Sequence, residues 1–91
     1  MSKVYSIEIT AHAERSLKRL RREIELIRRL DSKIQSLAED PRPQDCKQLK
    51  SGRYENLYRI REGDWRVLYA VEDDRIVVLI LDVVRRDKAY R

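Results

Sequence analysis

Glycine, proline, cysteine, histidine and phenylalanine are scarce in this 91-residue chain: two Gly, two Pro, one Cys, one His and no Phe. Each shortage excludes a chemistry. Two glycines cannot build a phosphate-cradling GxxxxGK or GxGxxG loop. One histidine and one cysteine leave no His/Cys zinc site. Cys46 has no internal disulfide partner, which fits the reducing cytoplasm. No serine sits in a GxSxG elbow. No apolar run approaches the ~20 residues of a membrane helix, and Ile7 is followed by Glu8 rather than by an apolar stretch, so neither a membrane span nor a signal peptide is expected. Most metalloenzymes, nucleotide-binding folds and triad hydrolases are thereby removed, and no metal or cofactor is expected.

What is abundant is charge. Charged residues make up 41% of the chain, with 21 Lys+Arg against 16 Asp+Glu and a net charge of +5. The charge is blocked. Residues 11–30 carry seven basic and three acidic groups, residues 42–66 seven and four, and residues 83–91 four and one, while 31–41 and 67–82 are net acidic. A small basic domain with such blocks points to an anionic partner, nucleic acid first and an acidic protein second.

Hydrophobic residues, 42% of the chain, give one domain with a thin core. Residues 3–9 alternate as a first strand. Thr10 is placed to cap a helix starting at Ala11. From there Leu17, Leu20, Ile24, Ile27, Ile34 and Leu37 form a helical stripe widened by Leu26 and Leu30. One helix over 11–38 would run ~42 Å, against a radius of gyration of ~12 Å for a domain of this size. A break into an antiparallel pair is therefore expected near Leu20–Glu23. Pro41 and Pro43 end the second helix, and a polar connection runs to Arg53. Three strand-like runs follow, Tyr54–Ile60, Trp65–Val71 and Arg75–Val84, joined by turns at Glu62-Gly63-Asp64 and Asp73-Asp74. The expected fold is α+β in the order βααβββ, with a helical hairpin on one face of a small, mainly antiparallel four-stranded sheet.

The other face is left open. Strand alternation sends Leu57, Arg59 and Arg61 to one side and Tyr58 and Ile60 to the other. With the apolar side against the helices, the arginines point outward. Arg66 lies just across the hairpin, and Arg86 and Tyr90 follow the last strand, so these five side chains are expected to converge. Arginine grips phosphate bidentately, and neighbouring aromatic rings stack on unpaired bases. The bland alternative pairs Arg59 and Arg61 with Glu62 and Asp64. Trp65 reads equally as a core residue or a stacking surface. His12 reads as a surface residue.

Three stretches carry a resemblance to a known family. Tyr58-Arg59-Ile60-Arg61-Glu62-Gly63-Asp64-Trp65-Arg66-Val67-Leu68-Tyr69 is similar to the YRIRxGdYRvxY hairpin of the RelE/ParE superfamily of bacterial and archaeal toxins. Gln48–Gly52 resembles its K/R-L-x-G segment. Arg85-Arg86-Asp87-Lys88-Ala89-Tyr90 resembles its basic pair followed by tyrosine, with Arg85 in place of a histidine. The RelE-like branch fits best. This resemblance implies the toxin of a type II toxin–antitoxin system, a cytoplasmic, metal-independent endoribonuclease that cuts mRNA in the ribosomal A site. Its partners would be the ribosome, mRNA and a RelB-like, acidic, amphipathic antitoxin. The positions matching functional residues are Arg59, Arg61, Arg66, Arg86 and Tyr90. Lys47, Lys50, Arg53, Trp65, Arg85 and Lys88 are assigned to binding RNA. Leu57 stands where some active members carry a lysine proposed as general base. Two other readings share the fold and the charge: a ParE-like, noncatalytic inhibitor of gyrase, and a noncatalytic module that binds RNA or the ribosome.

Overall fold

The computed structural model describes residues 4–50 and 52–86. The elements are β1 (Ser6–Ile9), α1 (Ala11–Arg19), α2 (Ile24–Ser36), β2 (Lys47–Leu49), β3 (Leu57–Glu62), β4 (Trp65–Glu72) and β5 (Val77–Arg85). They form a helical hairpin on a five-stranded sheet of order β1-β5-β4-β3-β2. β1 runs parallel to β5 and the other neighbours are antiparallel. The α+β class, the helix pair and the antiparallel meander are as the sequence predicts, and the radius of gyration is 12.5 Å.

The helix breaks where the length argument places it. Thr10 Oγ1 accepts from the Ala13 amide at 3.1 Å to start α1. The Leu20 amide bonds back to Leu17 O at 3.0 Å, a tighter final turn that stops α1 without Gly or Pro. The break rephases the second helix. Leu26, Leu30, Ile34 and Leu37 form its buried seam, while Ile24, part of the expected stripe, is 70% exposed.

The strand count is the main departure. The connection after Pro43 contains β2, which pairs through Lys47↔Arg59, Gln48↔Tyr58 and Leu49↔Leu57, making five strands rather than four. KQL has one apolar residue and sits at the sheet edge. Polar residues suit an edge because they discourage further pairing, and that hides the strand from any hydrophobicity pattern.

The two faces of the sheet differ. Tyr58, Ile60, Val67, Tyr69, Val71, Val78, Ile80 and Val83 share the core with the helices. Leu57, Arg59, Arg61, Arg66, Leu68 and Ala70 take the alternate side. Tyr58 and Tyr69, paired across β3 and β4, stack at 5.7 Å.

Two turns shape the meander. Gly63 has φ 60, left-handed at the first central position of the β3–β4 turn, as a type II′ hairpin requires. Ile76 has φ 54 at the end of the β4–β5 turn. A β-branched residue is costly in this region. Ile76→Asn is therefore expected to raise stability by about 0.5–1 kcal/mol, measured as an upward shift of the denaturant midpoint at unchanged m-value.

A β-bulge between Leu68 and Tyr69 on the β4–β5 ladder leaves Leu81 without a cross-strand partner. Thr10 Oγ1 donates to the freed Leu81 carbonyl at 3.3 Å. The residue that caps α1 thus also ties that helix to β5.

Candidate functional site

The arginines of the hairpin motif are brought together by register. Arg61 on β3 lies directly across from Arg66 on β4, which is in turn opposite Val84 on β5. Arg59, two residues earlier, is flanked by Lys47 on β2 and Leu68 on β4. Like charges placed directly opposite repel, so Arg61 and Arg66 form a ready seat for an anion. Among the described residues Arg61 makes no ion pair. The bland alternative does not form: Glu62 turns toward α2 and meets Arg29 Nε at 3.6 Å.

Burial corrects the picture of two outward-pointing side chains. Arg61 is exposed, but Arg59 and Arg66 are only 7% and 3% exposed, although no helix covers their face. Arg59 Nε has no hydrogen-bond partner. The Asp45 carboxyl is held below the usual carboxylate range, first by its hydrogen bond from Lys33 Nζ at 2.8 Å and more weakly by the Arg59 charge. Arg59 therefore sits in the wall of the site and Arg61 at its mouth. A guanidinium withdrawn from water, as Arg66 is, acts more strongly on a nearby phosphate than a solvated one.

Arg86 reaches the same end of the sheet. Its amide donates to Asp64 O in the hairpin turn at 2.7 Å, which docks the exposed Arg86 beside Arg66. Trp65 does not join this group. The register sets it opposite Glu62 and Arg85, on the helix-bearing side, where its indole packs against the core and lies 6.0 Å from the Arg85 guanidinium. Of the residues assigned to RNA binding, Lys47 is exposed beside Arg59. Lys50 and Arg53 follow β2 near the start of β3, ~13 Å along the strand from Arg61, and Arg53 lies 5.8 Å over the Tyr54 ring. Tyr90 and Lys88 lie outside the described residues.

Two polar clusters escape sequence reading. Between the prolines, Arg42 donates to both carboxylate oxygens of Asp73 (3.2 and 2.7 Å) and through Nε to Tyr58 OH at 2.7 Å. Tyr5 OH donates to the same Asp73 at 2.7 Å, and that bond to an anion raises the Tyr5 pKa. Beside this lock Tyr69 OH donates to Pro41 O at 2.8 Å, and burial pushes the Tyr69 pKa far up, so it is no candidate base. The second cluster joins α1 to β5. Asp82 accepts from His12 Nε2 at 3.0 Å, Ser16 Oγ at 2.8 Å and the Val83 amide at 2.8 Å. The partners lie 66 to 70 residues apart in the chain, so no local motif announces them. Among the described residues no group of three His, Cys, Asp or Glu is placed to hold a metal ion. No helix is long and apolar enough to cross a membrane.

The comparisons with known proteins agree with this architecture. No curated protein matches the chain. The archaeal RelE–RelB complex of Pyrococcus horikoshii contains a chain similar to this one, with 29% identity and a TM-score of 0.80 over 94% of this chain and 99% of that one. The toxin–antitoxin complex RelBE2 of Mycobacterium tuberculosis gives 26% identity and a TM-score of 0.75, covering 91% and 99%. The isolated RelE toxin of E. coli shares the fold at 24% identity, with a TM-score of 0.70 over 94% and 88%. The family model described as the ParE toxin of the type II toxin–antitoxin system parDE matches residues 7–90. With that match spanning nearly the whole chain and the RelE-containing complexes superposing on its fold, the protein belongs to the RelE/ParE toxin superfamily, on its RelE-like side.

Proposed function

We propose that this type II toxin is a cytoplasmic, ribosome-dependent endoribonuclease that cuts mRNA by attack of the RNA's own 2′-hydroxyl. The observation that carries the reading is the opposed pair Arg61 and Arg66 on the helix-free face, with Arg86 docked beside them. Such cleavage needs neither an activated water nor a metal. It needs removal of the 2′-proton, stabilisation of the charge on the phosphorane, and protonation of the leaving 5′-oxygen. Arg66 and Arg86 supply the second requirement, because fixed guanidinium groups donate to the extra negative charge as it develops. Arg59 and Arg61 position the RNA backbone. Tyr90 aligns the 2′-oxygen by stacking, or removes its proton if neighbouring guanidinium groups lower its pKa. Lys88 is the second group able to move a proton, since a lysine pKa shifts readily.

No histidine or carboxylate joins the described part of this arginine group, and Leu57 supplies no base. The substrate must therefore be bent into reactive geometry by something else. The ribosome does this in the proposal. Purified protein is expected to cut end-labelled mRNA on programmed ribosomes with codon phasing and to leave the same free mRNA intact at matched concentration. Robust cutting of free mRNA would remove the ribosome requirement, and no cutting in either setting would remove the nuclease. The ParE description of the family model favours a second reading, noncatalytic inhibition of gyrase. A supercoiling assay run beside the cleavage assay separates the two.

The toxin–antitoxin complexes among the similar structures support an antitoxin partner. The proposed antitoxin is acidic and amphipathic, with apolar anchors supplying affinity and charge supplying the association rate.

A further inference from the structure

A cleft of about 250 Å³ opens between α1 and the ends of β4 and β5, on the helix-bearing side of the sheet and away from Arg61 and Arg66. Its α1 wall carries His12, Arg15 and Arg19 among residues three or four apart, one face of the helix. Its sheet wall carries Trp65, Asp82 and Arg85. The single carboxylate does not neutralise this lining. Asp82 already accepts from His12, Ser16 and the Val83 amide and serves to clamp α1 at the β5 bulge. Arg15 and Arg19 are exposed and make no ion pair among the described residues. The cleft therefore joins an indole wall to two uncompensated guanidinium groups, with a third over the indole at 6.0 Å.

That combination matches one ligand chemistry: a planar aromatic base joined to phosphate. The volume falls below the ~300–1,000 Å³ of drug-sized ligand sites, so the cleft admits one unpaired nucleotide and no duplex. We infer that it binds a single nucleotide of single-stranded RNA, the base against Trp65 and the adjoining phosphates on Arg15 and Arg19. Trp65 and Arg66 are consecutive residues whose side chains leave opposite faces of β4. RNA passing over the hairpin rim is thereby held on both sides of the sheet, at the scissile phosphate and at a flanking nucleotide. This subsite rests on the RNA reading above, but its binding is measured without cleavage.

Trp65 is the only tryptophan, so its fluorescence reports the cleft directly. Titration of the purified toxin with a short single-stranded oligoribonucleotide is expected to quench it. The pair Arg15→Gln/Arg19→Gln should raise the dissociation constant about tenfold and lower the slope of log affinity against log salt by about 1. The pair Lys18→Gln/Arg22→Gln removes the same charge from the same helical hairpin outside the cleft, and should change affinity less than about threefold. Both pairs remove exposed side chains, and thermal melting confirms that they fold. Equal losses in the two pairs, no quenching by RNA, or quenching only by an acidic peptide would overturn the subsite. Quenching with the expected variant pattern in a protein that cuts no mRNA would uphold the subsite and remove the nuclease; cutting without quenching would do the reverse.

Discussion

Replacing Arg66 with alanine is expected to slow single-turnover mRNA cleavage on programmed ribosomes by ~100-fold or more. Removing one preorganised donor aimed at developing charge has about that effect in other water-poor sites. The same is expected of Arg86→Ala, for the same chemical reason. The two variants should differ in stability. Arg86 is exposed, and its loss should stay within ~0.5 kcal/mol. Arg66 is 3% exposed, so truncating it opens a cavity and should cost about 1–3 kcal/mol, even as it relieves repulsion from Arg61. Read as a surface strand residue, Arg66 would show a cost below ~1 kcal/mol. Thermal melting beside the kinetic assay decides, and Arg66→Lys supplies the check: it keeps charge and most of the volume but loses the bidentate fork, so it should fold normally and still cut slowly. Arginine variants that melt normally and cut at the wild-type rate would remove the pair from the site and favour the gyrase-directed or purely binding readings.

Leu30→Ala is expected to destabilise the domain by about 3–4 kcal/mol. Leu30 is fully buried in the middle of the α2 seam, packed with the sheet core. A buried Leu→Ala change loses the transfer energy of its methyl groups and leaves a cavity. A domain of this size has a total stability of perhaps 5–15 kcal/mol, and the change should lower Tm by more than ~10 °C. Ile24→Ala, six residues earlier and part of the same predicted stripe, should fall within ~0.5 kcal/mol because Ile24 is 70% exposed. Denaturant melts of the two variants test the rephasing of α2 directly. Equal costs would mean that the helix enters the core along the uninterrupted stripe.

These contrasts mark which features were legible in the chain. Periodicity alone yielded the strand, the helix stripe and the meander, because apolar spacing reports which face is buried. The Gly63 turn was legible because its left-handed φ asks for a residue without a side-chain penalty. The arginine face was legible because alternation along β3 is a local geometric rule, and the hairpin motif that carried the family resemblance lies in one continuous run. β2 was not legible, since an edge strand of polar residues has no hydrophobic signature. Nor was the burial of Arg59 and Arg66, because exposure depends on what neighbouring strands and their side chains cover, not on which face a residue takes. The separation of Trp65 from Arg66 followed from alternation once the register was known, yet adjacency in sequence had suggested a shared surface. The Asp82 clamp and the Arg42–Asp73 lock form between segments far apart in the chain, and only the closed sheet brings their partners within hydrogen-bond distance. By itself, then, the sequence determined the elements, the sign of the charge and the face that carries the arginines, because those follow from local period and composition. Which of those arginines meet water, and what stands beside them, was decided by tertiary packing, because burial and opposition are properties of neighbours that the chain supplies from elsewhere.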